Sequence, residues 1–388
     1  MNTLNAVFKF LFWLSVFYLA YHLFLYGLLI WVLNKLLGRK DIEPVELEHY
    51  PSITVICPAY NEERDIEAKI KSFLALDYPK DKIRMLVVSD DSTDRTNEIV
   101  RNYTGQRIDL IVQKPRRGKQ AAHNLVLPQI DSDLVLSTDA TAIFESGSVK
   151  LLAGVLMSDP AIGMVSGMVK PEKKGEKQSG EGLYIQYESF LKDLDSRFYS
   201  VLVSIGAIYL IRRDLFAEVE ENSADDFERT LHVLDKGYKV KFVKDAIVIE
   251  DETEFATEEL SRKVRIITQE WYCVQRNPGL LNPFKHFRVS WMLFSHKVMR
   301  WLFFVPVILI WASTAYLSFT NWFWRILNIV LTFFLVMGAL ELIAQKHKKH
   351  IPLMGLPAYF VAMLIASLQA FINFLTGKNY KLWSTARD

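Results

Sequence analysis

The chain has 388 residues, enough for more than one domain, and 51% of them are hydrophobic. Its 46 Lys and Arg residues stand against 44 Asp and Glu, which leaves a net charge of +2. This balance argues against the basic face of a nucleic-acid-binding protein, and no nucleic-acid partner is expected. Cys57 and Cys273 lie far apart in the sequence, so a disulfide framework is not expected and a reducing compartment suits them.

The first segment of the chain is apolar enough to cross a membrane. Residues 6–37 are nearly all apolar, too long for the core of a signal peptide, and without a small-residue cleavage site. A spanning helix needs about 20 apolar residues, which predicts one span at residues 8–33. Lys35, Arg39 and Lys40 follow it, and the positive-inside rule therefore places what comes next in the cytoplasm.

The polar middle of the chain, residues 45–285, begins with alternating strand-like and helix-like segments. Four short apolar runs are predicted as strands: SITVICPAY, IRMLVVSDD, IDLIVQK and DLVLSTD. Amphipathic stretches separate them, and Asn61 is predicted as the N-cap of the first helix. This spacing predicts βαβ units and a mostly parallel sheet covered on both faces.

Polar clusters follow these strands at the edge where open α/β sheets bind ligands. They are Tyr60 to Glu62, Asp90 and Asp91, Lys114 to Lys119, and Asp139. One crevice could therefore collect all four clusters. The sequence has neither G-x-G-x-x-G nor G-x-x-x-x-G-K-[ST], so a dinucleotide fingerprint or a P-loop is not supported.

The second half of the polar region mixes strands and helices. IGMVSGMVK and GAIYLIRR are predicted as strands, and YKVKFVKDAIVIE as one strand or two. GLYIQYESFLKDLDSRFYSVL and DDFERTLHVLDKG are predicted as helices, the second ending at Gly237. The basic, amphipathic stretch ATEELSRKVRIITQEWYCVQR is expected to lie on the membrane surface.

Three further spans are predicted near the C-terminus, at residues 301–319, 322–344 and 352–375. The basic loop QKHKKH at 345–350 fits the cytoplasm, and the uncharged SFTN between the first two fits the outside. By this count the final segment, GKNYKLWSTARD, falls outside. The predicted layout is therefore an anchor, a polar domain and a membrane bundle.

Six segments, in this order, resemble the motifs of family-2 glycosyltransferases. They are CPAYNEERDIEAKIKSFLALDYP, VVSDDSTDRT, RRGKQAAHN, STDATAIF, GAIYLIRRDLF and DDFERTLHVLDKGYKV. The resemblance covers residues 50–275 and is closest to the membrane-bound branch with cellulose, chitin, hyaluronan and poly-N-acetylglucosamine synthases. It implies an α/β fold of the GT-A (nucleotide-diphospho-sugar transferase) type, a Rossmann-like domain with a mostly parallel sheet, plus transmembrane helices. It also implies a nucleotide-diphosphate sugar donor, with uridine as the family default, and inversion at the anomeric carbon.

The resemblance divides the chain into four parts. They are an N-terminal transmembrane anchor (1–44), a cytoplasmic GT-A catalytic domain (45–254), amphipathic interfacial helices (255–298) and a C-terminal bundle of about three spans (299–388). The expected location is the inner or plasma membrane, with several spans.

The donor-binding residues are implied by matches to the family motifs. Ala59, Tyr60, Asn61 and Glu62 match the turn that holds the nucleoside. Asp90 and Asp91 match an acidic pair of which one member hydrogen-bonds the base, although DDSTD alone is more typical of a turn. Lys119 matches a lysine near the donor.

Asp139 matches the first acid of the family's D-x-D motif, and Thr141 stands where the second acid often lies. In that motif a metal bridges the donor's diphosphate and stabilises the leaving nucleotide. Mg²⁺ or Mn²⁺ is therefore the expected cofactor, held by Asp139, phosphate oxygens and water, with the Thr141 hydroxyl orienting a metal-bound water. The alternative is a plain turn aspartate.

Asp226 is the predicted catalytic base, and Asp225 precedes it. They match the last two acids of the family's T-E-D motif. An inverting transfer needs a carboxylate that takes the proton of the acceptor hydroxyl. The alternative is structural, because Asp225 followed by Glu228 fits a capping box. Asp225 could cap the helix while Asp226 performs chemistry.

The sequence departs from processive relatives downstream, where the motif Q-x-x-R-W is missing. The stretch KVRIITQEWYCVQR offers Arg265, Gln269, Trp271 and Arg276 at other spacings. Arg265 or Trp271 could contact the diphosphate or the acceptor, with Gln269 beside them. The alternative is an interfacial helix with snorkelling basic side chains. His296 and Lys297, further on, could approach the substrates or lie among lipid headgroups.

Two enzymatic functions follow from the resemblance. The first is extension of an exopolysaccharide or envelope glycan from a UDP-sugar, with a second copy or a partner protein completing a secretion channel. The second is transfer of a single sugar to a polyprenyl-linked or other lipid acceptor, which the missing Q-x-x-R-W favours. A non-enzymatic scaffold is disfavoured because Asp90, Asp91, Asp139 and Asp226 are retained.

Overall fold

The fold is given by a computed structural model that describes residues 2–171, 180–250, 256–347, 349, 351 and 353–380. Within these residues, eight strands form one sheet. They are β1 (Ile53–Ala59), β2 (Ile83–Asp90), β3 (Ile108–Gln113), β4 (Leu134–Thr138), β5 (Ile143–Phe144), β6 (Ile162–Pro171), β7 (Ile208–Arg212) and β8 (Lys239–Glu250). YKVKFVKDAIVIE therefore contains a single strand of 12 residues.

The sheet order is β3-β2-β1-β4-β7-β6-β8-β5. Strands β3, β2, β1 and β4 are parallel neighbours, and β6 is parallel to β8. Strand β7 runs antiparallel between β4 and β6, and β5 is antiparallel to β8. The predicted mostly parallel α/β sheet is confirmed, and every residue of β1 is buried, as expected for a strand covered on both faces.

Fourteen α-helices lie in the described part of the chain. They are α1 (Asn2–Ala20), α2 (Tyr26–Leu36), α3 (Ile66–Leu74), α4 (Thr96–Arg101), α5 (Lys119–Val126), α6 (Ser148–Ser158), α7 (Gly180–Phe198), α8 (Asp225–Asp235), α9 (Ala256–Arg276), α10 (Pro283–Leu293), α11 (Met299–Trp301), α12 (Phe304–Leu317), α13 (Trp322–Lys346) and α14 (Gly355–Leu375). A π-helical turn at Tyr21–Leu25 joins α1 to α2, so both form one long helix.

Two predicted helix caps are wrong. Helix α3 begins after Asp65, whereas the Asn61 backbone is left-handed (φ 53°) and its side-chain oxygen accepts from the Thr93 amide at 2.9 Å. Helix α8 has Ala224 at its N-cap and no capping side chain. The capping box with Asp225 does not form, since both acids of that box bind other partners.

Three described helices are long and apolar enough to cross a membrane: Thr3–Leu36, Trp322–Lys346 and Gly355–Leu375. A bent pair, Pro283–Trp301 and Phe304–Leu317, makes a fourth if its two parts form one span. The predicted span at 301–319 contains α12, a continuous helix of 14 residues, which is bent by 57° from the helix that ends at Trp301. Pro306 lies in the first turn of α12. Proline is tolerated there, but it has no backbone N–H that could donate a hydrogen bond to the preceding helix.

The start of the C-terminal tail lies on the side of the sheet domain. The side chain of Asn222, in the sheet domain, donates to the side-chain oxygen of Asn379 at 3.0 Å, and the Gln269 side chain donates to the Tyr380 carbonyl at 2.8 Å. The predictions of a cytoplasmic sheet domain and of an outside tail therefore cannot both hold for Asn379 and Tyr380, because α14 ends packed on α9 beside that domain. Residues 381–388 lie outside the described residues.

A buried polar junction joins the N-terminal helix to the sheet domain. The Tyr26 hydroxyl donates to Asp195 Oδ1 at 2.7 Å, and His296 Nδ1 lies 2.8 Å from Asp195 Oδ2. The Asn34 side chain donates to the Leu194 carbonyl at 2.9 Å. Because a buried carboxylate needs its partners, these bonds fix helix α2 against helix α7.

We predict that Tyr26→Phe destabilises the protein. The change removes a buried donor to Asp195, and such a loss costs about 1–3 kcal/mol of unfolding free energy. Thermal unfolding of the full chain in detergent measures the effect. The control is Tyr103→Phe, whose hydroxyl donates to Glu67 at an exposed site, and a change within about 0.5 kcal/mol is expected there. Equal losses in both variants would contradict the prediction.

Candidate active site

The turn after β1 is fastened to the turn after β2. Ala59 ends β1 and is buried, and the Glu62 amide donates to Thr96 Oγ1 at 2.8 Å. The Arg116 guanidinium lies 3.4 Å from the ring centroid of Tyr60. The structure therefore brings the predicted nucleoside turn, Ala59 to Glu62, against the loop that precedes Lys119.

The two acids after β2 have different surroundings. Asp90 is fully buried, and its carboxylate accepts from the backbone amides of Arg117 and Gly118, each at 2.8 Å. Gly118 has a left-handed backbone (φ 102°), which glycine adopts without strain. Asp91 keeps 35% of its side chain exposed, with the Lys114 amine 3.7 Å away. Asp90 thus holds the loop, and Asp91 is the acid open to a ligand.

Lys119 joins two of the predicted acids. Its amine lies 2.6 Å from Asp139 Oδ1 and 3.7 Å from Asp225 Oδ1. Burial alone would lower the pKa of the Lys119 amine, but Asp139 and Asp225 outweigh it and raise the pKa. The side chain is therefore a cation fixed between two carboxylates.

Asp225 is a buried anion at the start of α8. Tyr209 donates its hydroxyl to Asp225 Oδ2 at 3.2 Å, and His123 Nδ1 is 3.6 Å away. Burial would raise the pKa of Asp225, but Lys119, Arg229 and the Tyr209 hydroxyl outweigh it and lower the pKa. Burial also lowers the pKa of His123 to about 3, so this imidazole is neutral at pH 7. Asp225 therefore holds its neighbours in place instead of capping the helix.

Asp226 is partly exposed and lies close to Lys119. A Cβ atom built on Gly206 would lie 3.4 Å from both Asp226 Oδ2 and the Lys119 amine, so both groups face this glycine. Burial, Asp225 and Glu270 raise the pKa of Asp226 to about 6. A carboxylate with this pKa is ionised at pH 7 and basic enough to accept a proton from a hydroxyl in a transition state.

Thr141 binds an acid that the sequence analysis missed. Its hydroxyl donates to Glu250 Oε1 at 2.7 Å, and Glu250 is the last residue of β8. Burial and Asp139 raise the pKa of Glu250. Glu250 could have been found from the sequence, because it is an acid at the end of another predicted strand, in the segment AIVIED. Among the residues that the structure describes, no three His, Cys, Asp or Glu side chains form a metal-binding group.

Helix α9 brings Arg265 to the site. Burial lowers the pKa of Arg265, while Asp226 and Asp139 are close enough to act on it in the opposite direction. Gln269 Oε1 lies 3.5 Å from the Arg265 guanidinium, and the Gln269 amide group binds the Tyr380 carbonyl. Gln269 therefore supports Arg265 from the side of the tail.

The Trp271 ring packs between helices instead of facing the acids. Its centroid is 4.9 Å from that of Trp301 and 5.6 Å from those of Phe371 and Phe374. Arg276 is also remote, because it pairs with Glu228. The interfacial-helix alternative describes Trp271 better than stacking on an acceptor sugar does, because its face of α9 is covered by α14.

The segment before α12 reaches the site through Glu270. Lys297 lies 3.1 Å from Glu270 Oε1, and the Trp301 indole donates to Glu270 Oε2 at 3.0 Å. Glu270 in turn raises the pKa of Asp226. Lys297 thus acts on a group beside the site, whereas His296 contacts Asp195.

Residues 54–220 match the protein family described as Glycosyl transferase family 2. The chain carries a family-2 glycosyltransferase domain. The match contains the turns after β1 and β2, Lys119 and Asp139, and it confirms the predicted family-2 domain.

The chain is also similar in sequence to named proteins over part of its length. The chain is 26% identical over 275 residues to a probable glycosyltransferase, YdaM, of Bacillus subtilis (strain 168), covering 68% of this chain and 66% of that one. It is 27% identical over 218 residues to the poly-beta-1,6-N-acetyl-D-glucosamine synthase of Staphylococcus aureus (strain COL), covering 54% and 51%. The chain thus spans between about half and two thirds of the length of these relatives.

One solved structure shares most of the fold. The mannosyltransferase PcManGT from Pyrobaculum calidifontis, in complex with GDP-Man and Mn2+, superimposes with a TM-score of 0.73 at 20% identity. The superposition covers 95% of this chain and all of that one. It confirms the predicted GT-A fold.

We predict that sugar transfer falls about tenfold per pH unit below pH 6, because Asp226 is then protonated. Glu270→Gln removes a negative charge that raises this pKa, so the acid limb should move to lower pH. The pH profile of the transfer rate measures both effects. The control is Glu228→Gln, which breaks a pair with Arg276 and should leave the limb in place. An unmoved limb in Glu270→Gln would contradict the assignment.

Proposed function

We propose that the protein is a membrane-bound inverting glycosyltransferase. It moves a hexose or an N-acetylhexosamine from a UDP-sugar to a growing exopolysaccharide or envelope glycan. The observation that carries this proposal is that ion pairs join Lys119 to Asp139 and Asp225, with Asp226 beside Lys119. The names of the synthase and transferase relatives support the substrate class, and the nucleotide sugar bound by PcManGT supports the donor type.

The proposed location is the plasma membrane, with several spans and a cytoplasmic catalytic domain. The apolar helices support membrane insertion. Lys35, Arg39 and Lys40 follow the first of them and support a cytoplasmic domain by the positive-inside rule. The proposed division is an anchor at 1–44, a catalytic domain at 45–254, interfacial helices at 255–298 and a bundle at 299–388.

The proposed cofactor is Mg²⁺ or Mn²⁺ at Asp139. Both cations prefer oxygen ligands, and Mg²⁺ often takes one or two carboxylates together with substrate phosphates and water. The carboxylate of Asp139 fits this chemistry, since it stands at the end of β4 with 35% of its side chain exposed. The cation would stabilise negative charge on the departing nucleotide. The Mn2+ bound by PcManGT supports the choice of a divalent ion.

The protein's own groups divide the remaining work. Asp226 takes the proton of the acceptor hydroxyl while that oxygen attacks the anomeric carbon. Lys119 and Arg265 provide positive charge where negative charge develops on the diphosphate. Asp225 stays ionised, holds Lys119 in place and raises the pKa of Asp226. Tyr60 and Asp91 face the nucleoside.

The second candidate is transfer of one sugar to a polyprenyl-linked or other lipid acceptor. The packing of Trp271 against α14 favours it, because an aromatic ring for the acceptor sugar is then missing from α9. A polymerising enzyme with three or four spans would use a second copy or a partner protein to complete a secretion channel. Both candidates use the same donor, cation and base.

We predict that membranes containing the protein incorporate label from a UDP-sugar into a glycan or a glycolipid. Incubation with a panel of labelled UDP-sugars, followed by sizing of the products, measures this. A ladder or high polymer supports the first candidate, and a single-sugar glycolipid supports the second. Absence of any product with every donor would contradict the proposal.

Asp226→Asn should lower the transfer rate by about 10²–10⁴-fold, the usual contribution of general-base catalysis. The control is Asp235→Asn at the opposite end of the same helix, where the carboxylate is 45% exposed. That variant should keep its activity. Transfer that survives in Asp226→Asn would defeat the assignment of the base.

A further inference from the structure

The residue at position 141 is hydrogen-bonded to an acid from another strand, Glu250. Thr141 stands two residues after Asp139, and its hydroxyl donates to Glu250 Oε1 at 2.7 Å. The sheet explains this contact: β5 and β8 pair in antiparallel register, with Ile143 opposite Ile249. Glu250 therefore follows directly on the residue that pairs with the start of β5, the strand that comes after the Asp139 turn.

A buried lysine, Lys69, binds the turn that contains Asp139 and Thr141. The Lys69 amine donates to Thr138 Oγ1 at 2.6 Å and to the Ala142 carbonyl, so it binds both ends of the segment that contains Asp139 and Thr141. Lys69 itself is fully buried. Such a support restricts the turn, which keeps the Thr141 hydroxyl aimed at Glu250.

The Thr141 hydroxyl holds Glu250 at the turn that begins with Asp139. The described hydrogen bonds occupy one oxygen of each acid: Lys119 binds Asp139 Oδ1 and Thr141 binds Glu250 Oε1. Each carboxylate has a second oxygen, and two carboxylates with substrate phosphates make a suitable ligand set for a hard divalent cation.

We propose that Glu250 supplies the second carboxylate of the cation site at Asp139, and that Thr141 orients it. Thr141 is then a positioning residue, since its hydroxyl acts through Glu250. The proposal rests on the proposed function, which brings a divalent cation to Asp139. It goes beyond that function because it adds a second protein ligand for the cation, Glu250, which lies 109 positions from Thr141 in the sequence.

Binding of Mn²⁺ to the purified full chain tests the proposal without use of the transfer activity. Electron paramagnetic resonance counts free Mn²⁺ during a titration of the protein, alone and with UDP. Glu250→Gln should weaken Mn²⁺ binding by at least about tenfold, because the amide can still accept from Thr141 but carries no charge. Thr141→Val should weaken it by about tenfold, the usual effect of losing a partner that orients a ligand.

Two variants separate a cation ligand from a merely structural acid. Thr141→Asp added to Glu250→Gln should restore Mn²⁺ binding, since it puts the carboxylate back by another route. Glu250→Asp should bind better than Glu250→Gln. The control Glu145→Gln changes an exposed acid on the same connection and should bind like the unaltered protein.

The outcomes distinguish this proposal from the proposed function. Loss of Mn²⁺ binding in Asp139→Asn with unaltered binding in Glu250→Gln overturns the role of Glu250 and leaves the function standing. Absence of Mn²⁺ binding in the unaltered protein overturns the proposal together with the cation at Asp139. Weak binding in Glu250→Gln that Thr141→Asp does not restore, with a lowered melting temperature, assigns Glu250 a structural role and overturns the proposal.

Discussion

The ion pair between Lys119 and the two carboxylates of Asp139 and Asp225 is the interaction on which the site depends. It joins the end of β4, the start of α5 and the start of α8, three elements that meet only because β4 lies centrally in the sheet. A buried cation offsets the cost of holding two acids together. It also keeps Asp225 ionised beside Asp226, and this negative charge helps to raise the pKa of Asp226 to about 6.

The base is also connected to the membrane segment. Glu270 raises the pKa of Asp226 and is held by Lys297 and Trp301, which immediately precede helix α12. A second buried junction fixes Tyr26 of the N-terminal helix to Asp195. The packing of the segment before α12 against Glu270 therefore influences the pKa of Asp226.

Local patterns predicted the donor side of the fold well. Buried parallel strands appear as apolar runs, and their ends mark a common edge, so Asp91, Lys119 and Asp139 could be found from sequence. Contacts between residues that are far apart in the sequence could not be predicted from such patterns. Lys69 is typical of an exposed helix position yet is buried below the Asp139 turn, and Glu250 reaches Thr141 through the pairing of β5 with β8. Capping at Asp225 was a reasonable local prediction that tertiary contacts with Lys119 and Tyr209 overrode.

The sequence of helix α9 lacks the Q-x-x-R-W motif of the processive synthases that the chain resembles. Gln269 binds the backbone of Tyr380, and Trp271 packs among aromatic rings of α14, so both side chains have partners inside the protein. Arg265 is still close enough to interact with Asp139 and Asp226. The helix thus brings a cation near Asp139 and Asp226, while its Trp271 ring is packed against α14. A single transfer needs only one acceptor hydroxyl at Asp226, whereas polymerisation would require an aromatic platform from another surface, such as a second copy of the chain.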